Sequence, residues 1–334
     1  MTRRKRLFII ANTTHYLNIK TYIKTHSPAD NFVVLTIRRF KGYSDFYDRI
    51  KHDPDFELLK IIFVDQKKKF PFHYLDIFSI MGNIKGVKQK HPEFDEVLFS
   101  NYNSWVQHYL LNQYKLIKPI LISDGTGIFT IADLRKTSIA IPFAGSKFFI
   151  NKVLGLKPLE SLHFYSQVPV NVPDHDSVEI FGFSASNSTT VDEEKVYFVG
   201  SPLVELGYLE KQNHIDFLHR IKNQFENSNF IYFSHRREKE ENLEDYKFLG
   251  KITRDSIPFE ERMEKEEELP GIVISYISSI LINLPQVYPQ VKFYYRSLDK
   301  NDLNINMNFK ERYIELTENF KKMEGDNFKE LKVQ

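Results

Sequence analysis

The sequence predicts an α/β fold of two doubly wound parallel-sheet domains, and three observations carry that expectation. Short, continuous apolar runs with strand character recur at 6–12, 31–37, 59–65, 96–101 and 118–123. Between them lie stretches with helical spacing, for example 73–90 and 105–115. Strands that alternate with helices argue for a parallel sheet covered on both faces. The rhythm lapses over 144–176, where Gly145, Gly155, Pro158, Pro169 and Pro173 interrupt a stretch of little apolar periodicity, and then resumes.

The first strand, 6–12, ends in Asn12-Thr13-Thr14, which offers capping groups to a helix carrying Tyr16, Ile19 and Ile23 on one side. A strand, a polar turn and a helix make the unit whose helix N-terminus can receive an anion. No glycine fingerprint accompanies it, so nothing here specifies a dinucleotide. The irregular stretch 144–176 reads as a lid or interdomain crossing. Beyond it the spacing predicts strands at 195–199, 229–233, 271–275 and 291–295, and helices at 213–224, from 278, and at 308–322. The polar tail after 322 is expected to fray. The acidic run 260–268, broken by Arg262, Met263 and Lys265, reads as a solvated helix face. Two such halves describe two Rossmann-like domains facing each other across a cleft, divided at 1–165 and 166–334.

Composition narrows the function. With 334 residues, 42% hydrophobic and 27% charged, the chain has a globular profile and length enough for two domains. A net charge of +2 gives no electrostatic footprint for nucleic acid, so no nucleic-acid partner is expected. The absence of cysteine excludes disulfides, thiolate nucleophiles and thiolate metal sites, and fits a reducing cytoplasm. The apolar run after Arg3-Arg4-Lys5-Arg6 is too short for a membrane span. That basic start is read two ways, as a peripheral contact with an anionic membrane surface or as a solvated cap on the first strand.

Three stretches carry chemistry. In Ile122-Ser123-Asp124-Gly125-Thr126-Gly127 a carboxylate follows a strand and precedes a glycine. It can act as general base on a sugar hydroxyl, or it is a plain Asp-Gly turn. In Ser234-His235-Arg236-Arg237-Glu238 a histidine flanked by cations stands at the end of strand 229–233, where open α/β sheets bind ligands. It either meets a phosphate or belongs to a solvated charge cluster, with one arginine pairing with Glu238 or Glu240. In Ser275-Tyr276-Ile277-Ser278-Ser279 hydroxyls at a strand-to-helix junction cap the helix, and the same donors can hold a phosphate. No zincin pattern, nucleophile elbow or phosphate loop is present. The Asp-x-Asp of the irregular stretch, Asp174-His175-Asp176, has no strand to position it. His108 and His163 read as structural; His15, near a strand end, stays a cleft candidate.

Taken in this order, the three stretches resemble the motifs of bacterial sialyltransferases of the lipooligosaccharide sialyltransferase and α-2,8-polysialyltransferase group. Asp124-Gly125-Thr126 is similar to their acidic motif. The run Tyr232-Phe233-Ser234-His235-Arg236-Arg237-Glu238 is similar to their His-Pro motif, with Arg236 in place of proline, and Ser278-Ser279 to their Ser-Ser/Thr motif. Further likeness lies in Gly200-Ser201-Pro202 and in Ile257-Pro258-Phe259-Glu260, whose glutamate corresponds to one that contacts the nucleotide ribose. The likeness is concentrated between about 195 and 285.

The resemblance implies the GT-B fold, with an acceptor domain at 1–165 and a CMP-sugar domain at 166–334, the last helix being a candidate to cross back. It implies an inverting, metal-independent and cofactor-free glycosyltransferase moving sialic acid from CMP-sialic acid to a cell-surface glycan such as lipooligosaccharide, capsule or O-antigen. Asp124 would deprotonate the acceptor, His235 would protonate the departing phosphate, and Ser278 and Ser279 would hold it. Arg236, Glu260, Gly200 and Pro202 would complete the nucleotide-sugar site, and Asn12, Thr13, Ser123, Gly125 and Thr126 would line the donor and acceptor cleft. A single phosphate can be neutralised by imidazole, hydroxyls and a helix terminus without a divalent ion. The expected location is cytoplasmic, with a peripheral position at the inner face of the cytoplasmic membrane as one option beside a fully solvated one. One departure stands out: Ser123 occupies the position of the first acidic residue of the motif. Either Asp124 takes the role of base, or the base comes from elsewhere, or the activity is lost or changed, which leaves open a degenerate nucleotide- or glycan-binding protein without turnover. A transferase with another nucleotide sugar is the second alternative, since related chains carry different sugars.

Overall fold

The computed structural model describes residues 3–38, 43–64, 73–114, 118–122, 125–138, 154–182, 190–255, 257–299, 301–304 and 307–332. The chain forms two compact units, Met1–Phe181 and Gly182–Gln334.

The first unit runs β1 (Lys5–Ile10), α1 (Thr13–Thr25), β2 (Asp30–Ile37), α2 (Tyr43–Lys51), β3 (Glu57–Phe63), α3 (His73–Lys90) and β4 (Glu96–Phe99). It continues with α4 (Trp105–Leu111), β5 (Ile120–Ile122), α5 (Gly127–Thr137), β6 (His163–Ser166) and β7 (Ser177–Ile180). The strands form one parallel sheet in the order β3-β2-β1-β4-β5-β6-β7. Leu7, Phe8, Ile9 and Ile10 are fully buried, as a central strand covered on both faces requires.

The second unit repeats the plan with β8 (Thr190–Val199), α6 (Lys211–Gln224), β9 (Asn229–Phe233), α7 (Glu240–Asp245), a 3-10 turn at Lys247–Leu249 and β10 (Lys251–Thr253). There follow α8 (Phe259–Glu264), β11 (Glu268–Tyr276), α9 (Ile280–Val287), β12 (Lys292–Arg296), α10 (Met307–Lys322) and β13 (Phe328–Glu330). The order is β10-β9-β8-β11-β12-β13, again parallel throughout. On one face Phe198, Tyr232, Ile274 and Tyr276 pack with Phe217, Leu218 and Ile221 of α6. On the other, Phe259 of α8 lies edge-on to Tyr197 and Phe233. A Cβ at Gly271 would stand 2.8 Å from Glu193 Cα, so only glycine allows the close approach where β8 and β11 shift register.

In both sheets the strand order reverses beside the first strand of the unit, between β1 and β4 and between β8 and β11. A buried serine marks each reversal. Ser100 donates its hydroxyl to the Ile9 carbonyl at 3.0 Å, and Ser275 donates to the Val199 carbonyl at 2.8 Å. Ligands of doubly wound sheets bind at such reversals, beyond the carboxyl ends of the strands.

Four expectations need revision. The stretch 144–176 is not simply a crossing: β6 and β7 extend the first sheet, so this unit runs to Phe181 where the sequence suggested a division after 165. These strands have four residues each, too few for a period to show. Residues 139–153 lie outside the described part. Asp174-His175-Asp176 holds the segment down, because both Asp176 oxygens accept from the buried Arg135 guanidinium at 2.7 and 2.8 Å. The tail does not simply fray: β13 pairs with β12 in parallel, and Phe328 and Leu331 are buried. The last helix, α10, connects these two strands within the second unit. The run 260–268 is not one solvated face, since α8 stops at Glu264 and β11 begins at Glu268.

At the N-terminus Arg3 pairs with Asp30, and Arg4 and Arg6 pair with Glu96, so these cations tie β1 to its neighbours. Among the described residues no helix is long and apolar enough to cross a membrane.

Candidate active site

Strand β9 delivers four buried residues and is followed by a turn at Arg236 and Arg237. The Ser234 amide donates to the Thr253 carbonyl at 2.9 Å, continuing the β9–β10 ladder by one step. His235 and Glu238 close that turn reciprocally. The Glu238 amide donates to the His235 carbonyl at 2.9 Å, and the His235 amide donates to Glu238 Oε2 at 2.5 Å. The Arg237 amide donates to His235 Nδ1 at 3.1 Å. A neutral imidazole that accepts at Nδ1 carries its proton on Nε2, so this backbone contact selects the tautomer. Burial, reinforced by the charges of Arg236 and Arg237, pushes the His235 pKa down to about 4, with Glu205 opposing. The ring is therefore neutral at pH 7 and offers an Nε2–H donor. An anion bound beside it favours the charged form and raises its pKa again.

Glu238 is 2% exposed and its other oxygen accepts the Tyr232 hydroxyl at 2.5 Å. Arg254 donates to the carbonyls of Arg236, at 3.1 Å, and Glu238, at 2.8 Å, and also pairs with Glu240. The expected pairing of Arg236 or Arg237 with Glu238 or Glu240 is thus replaced. Both glutamates are taken, and the two arginine side chains project into solvent.

Gly200 follows β8 and donates its amide to the Phe233 carbonyl at 2.8 Å. A Cβ there would fall 2.5 Å from Glu238 Oε2 and 2.6 Å from the Tyr232 hydroxyl, so glycine is required for the two glutamate contacts to form. Pro202 opens the following loop, its carbonyl accepting the Leu206 amide at 3.0 Å. Glu205 in that loop accepts the Lys239 amide at 3.0 Å and the Asn242 side chain at 2.7 Å, joining the loop to α7.

Ser278 and Ser279 follow β11, on the far side of the reversal, and both are partly exposed. Ser279 stands at the N-cap of α9 with φ −61° and ψ −29°, and its hydroxyl makes no capping bond. The expected capping role is not realised, because a helical backbone at the cap turns the side chain away from the first amides. Across the sheet, β9, β8 and β11 are neighbours, so the ends carrying His235 and the serines stand two strand spacings apart, about 10 Å.

Glu260 lies in the first turn of α8, and burial raises its pKa. Asn283 of α9 donates to Glu260 Oε1 at 3.5 Å, while its own Oδ1 is buried without a partner among the described residues. Sequence reading missed Asn283, although its position four residues after Ser279 puts both on one helix face. It also missed the work of Tyr232, Glu205, Arg254 and Glu238, which only the folded contacts reveal.

In the first unit Asn12 caps α1 by accepting the His15 amide at 2.9 Å, and Thr13 begins the helix, partly exposed. His15 is 1% exposed, with Nδ1 accepting the Ala11 amide. Gly125 is buried at φ +58°, and its carbonyl accepts the Ile128 amide as α5 begins; Thr126 makes no side-chain capping bond. Ser123 and Asp124 lie outside the described residues, between the end of β5 and Gly125. His108 donates through Nε2 to the Tyr102 carbonyl, and burial lowers its pKa to about 4; His163 meets Ser177 and Glu179. Both are held as structural groups.

Comparison with solved structures reports on the fold. A UDP-glucosyltransferase from Polygonum tinctorium aligns with 100% of this chain and 86% of its own, at 11% identity and a TM-score of 0.53. A protein assigned as a UDP-N-acetylglucosamine 2-epimerase, from Listeria monocytogenes, covers 88% and 79% at 14% identity and 0.52. Apo UGT2 of Phytolacca americana covers 99% and 86% at 10% identity and 0.51. At such identities the likeness shows the GT-B fold alone, which serves transferases and epimerases alike. No curated protein matches the sequence. The family model for alpha-2,8-polysialyltransferase (POLYST) matches residues 6–296, from β1 to the end of β12. The chain belongs to the alpha-2,8-polysialyltransferase family. This polysialyltransferase-family chain is a glycosyltransferase, and every candidate residue named above falls inside the matched span.

Proposed function

We propose that the chain is an inverting, metal-independent sialyltransferase that moves sialic acid from CMP-sialic acid to a hydroxyl of a cell-surface glycan. The acceptor oxygen attacks the anomeric carbon opposite the phosphate as Asp124 takes its proton, and the bond to the phosphate breaks. His235 Nε2–H meets the leaving phosphate, and Ser278, Ser279 and the start of α9 receive the charge that develops on it. Glu260 and Asn283 are assigned to the nucleoside, Arg236 adds positive charge at the rim, and Gly200 and Pro202 shape the β8 loop. Asn12, Thr13, Ser123, Gly125 and Thr126 are assigned to the donor and acceptor cleft. A monophosphate donor needs no divalent clamp, since neutral donors and one helix terminus suffice for it. The reading carries with it a cytoplasmic reaction on a glycan presented at the inner face of the membrane.

The single observation that supports it most is the fixed Nε2–H tautomer of His235, on the same sheet edge as an uncommitted Ser279 hydroxyl. The test is a thermal-shift panel of CMP, UDP and GDP, with and without EDTA, followed by an assay for transfer from CMP-sialic acid. CMP should raise the melting temperature, UDP and GDP should not, and EDTA should change nothing. Protection by UDP or GDP but not CMP moves the reading to another nucleotide sugar. Protection by CMP without turnover makes the chain a binding protein, the outcome Ser123 leaves open.

A further inference from the structure

We propose that Glu238 is the positioning residue of the His235 turn, holding the His235 amide on one carboxylate oxygen and the Tyr232 hydroxyl on the other. The inference rests on the role given to His235 above. Its ground is geometric. Two hydrogen bonds meet on its carboxylate, from the amide of the residue it positions and from a tyrosine of β9. The backbone amide of Glu238 closes the turn on the His235 carbonyl, and Gly200 leaves no room beside the carboxylate even for a Cβ. Moving the carboxylate therefore moves the imidazole.

A purely structural group at this place would serve better uncharged. Glu238 is almost wholly buried, and among the described residues no lysine or arginine forms an ion pair with it. The groups facing it are Tyr232 from β9, Tyr246 after α7, Tyr276 from β11, Glu205 from the loop after β8, and Arg254 after β10. Burial pushes its pKa up to about 7, Glu205 adding to the rise while Tyr232, the His235 amide and Arg254 oppose it. Ionised, it accepts two charge-assisted bonds; protonated, it offers weaker neutral ones. The His235 turn is thus held most firmly above neutrality and loosens as the pH falls through about 7.

Glu238→Gln keeps the site in its neutral form at every pH. Turnover of CMP-sialic acid by the wild-type chain should fall as the pH is lowered through about 7. In Glu238→Gln that limb should vanish and turnover at pH 8 should be about 10- to 100-fold lower, the scale of a small misplacement of a reacting group. CMP affinity should change by less than about threefold, because the lost interaction belongs to the transition state. Tyr232→Phe removes a donor that favours the ionised form, so the limb should move to higher pH. Independently of turnover, the backbone amide proton resonance of His235 should titrate near pH 7 in the wild-type chain and stay fixed in Glu238→Gln. A non-titrating wild-type resonance, or full turnover by Glu238→Gln at pH 8 while His235→Ala is impaired, overturns the positioning role alone. Unchanged turnover in His235→Ala overturns the reading beneath it.

Discussion

The Ser275 hydroxyl donates to the Val199 carbonyl at 2.8 Å, joining the ends of the two strands between which the second sheet reverses its order. The bond fixes the spacing of the Gly200 loop and the Ser278–Ser279 turn, the two segments that leave those strand ends. Ser275 is fully buried. Ser275→Ala removes the bond and should cost about 1–3 kcal/mol of stability, read as a lower urea midpoint, with weaker CMP binding accompanying it.

Gly200→Ala places a methyl group 2.5 Å from Glu238 Oε2 and 2.6 Å from the Tyr232 hydroxyl. Neither is the loose end of a flexible chain, because each holds the other. The variant should lose about 1–3 kcal/mol of stability to overpacking and most of its turnover. A fully active, fully stable Gly200→Ala protein contradicts the close approach.

His235→Ala removes the Nε2–H donor from the leaving phosphate. Turnover should fall about 10²- to 10³-fold, the loss of about 3–4 kcal/mol typical of a donor aimed at developing charge. Asp124→Asn should abolish transfer while leaving CMP binding intact. If that variant unfolds instead, Asp124 serves the Asp-Gly turn and not the chemistry.

Ser279 offers a sharper separation of roles, since its hydroxyl makes no capping bond. Ser279→Ala should leave the melting temperature within the range of a neutral surface change, about 0.5 kcal/mol. CMP affinity should drop about tenfold, the worth of one hydrogen bond to a charged group. A destabilised variant with unchanged CMP affinity would return the residue to helix capping.

Stability and pH are linked at Glu238. Its pKa stands at about 7 in the fold against 4.5 in the free side chain, raised chiefly by burial. Across that interval the folded chain retains a proton that the unfolded chain has released. Stability contributed at low pH is therefore lost as the pH rises from about 4.5 to 7, by about 3 kcal/mol in all. Glu238→Gln escapes this penalty. Melting curves should show it more stable than wild type at pH 8, with the advantage shrinking toward pH 4. Greater stability with slower turnover is the pattern of a group kept for function.

Much of the fold is legible in the residues, and the reason is local. β9, Asn229–Phe233, is visible because apolar side chains fill both faces and polar residues stop the run abruptly. β6, β7 and β13 are not visible, being too short to show a period and carrying serine, glutamate, histidine and lysine. Their place in the sheets comes from neighbours far away in the chain, such as β5 for β6 and β12 for β13. The candidate site divides in the same way. His235, Ser278 and Ser279 announce themselves by standing at the ends of legible strands. Glu238 reads in sequence as one more surface carboxylate among arginines, because nothing local tells that Gly200 and Tyr232 enclose it.

By itself the sequence determined the α/β class, the two wound halves, the family likeness and the strand ends at which phosphate chemistry gathers. Those properties follow from hydrophobic period and from residues next to one another in the chain. Only the tertiary structure decided which protons and charges those residues carry. The His235 tautomer and the uncommitted Ser279 hydroxyl depend on the backbone conformation the folded turns adopt. The buried carboxylate of Glu238 depends on burial and on neighbours such as Gly200 and Glu205 brought from the loop after β8. Desolvation and hydrogen bonding act through space, and no spacing along the chain encodes them directly.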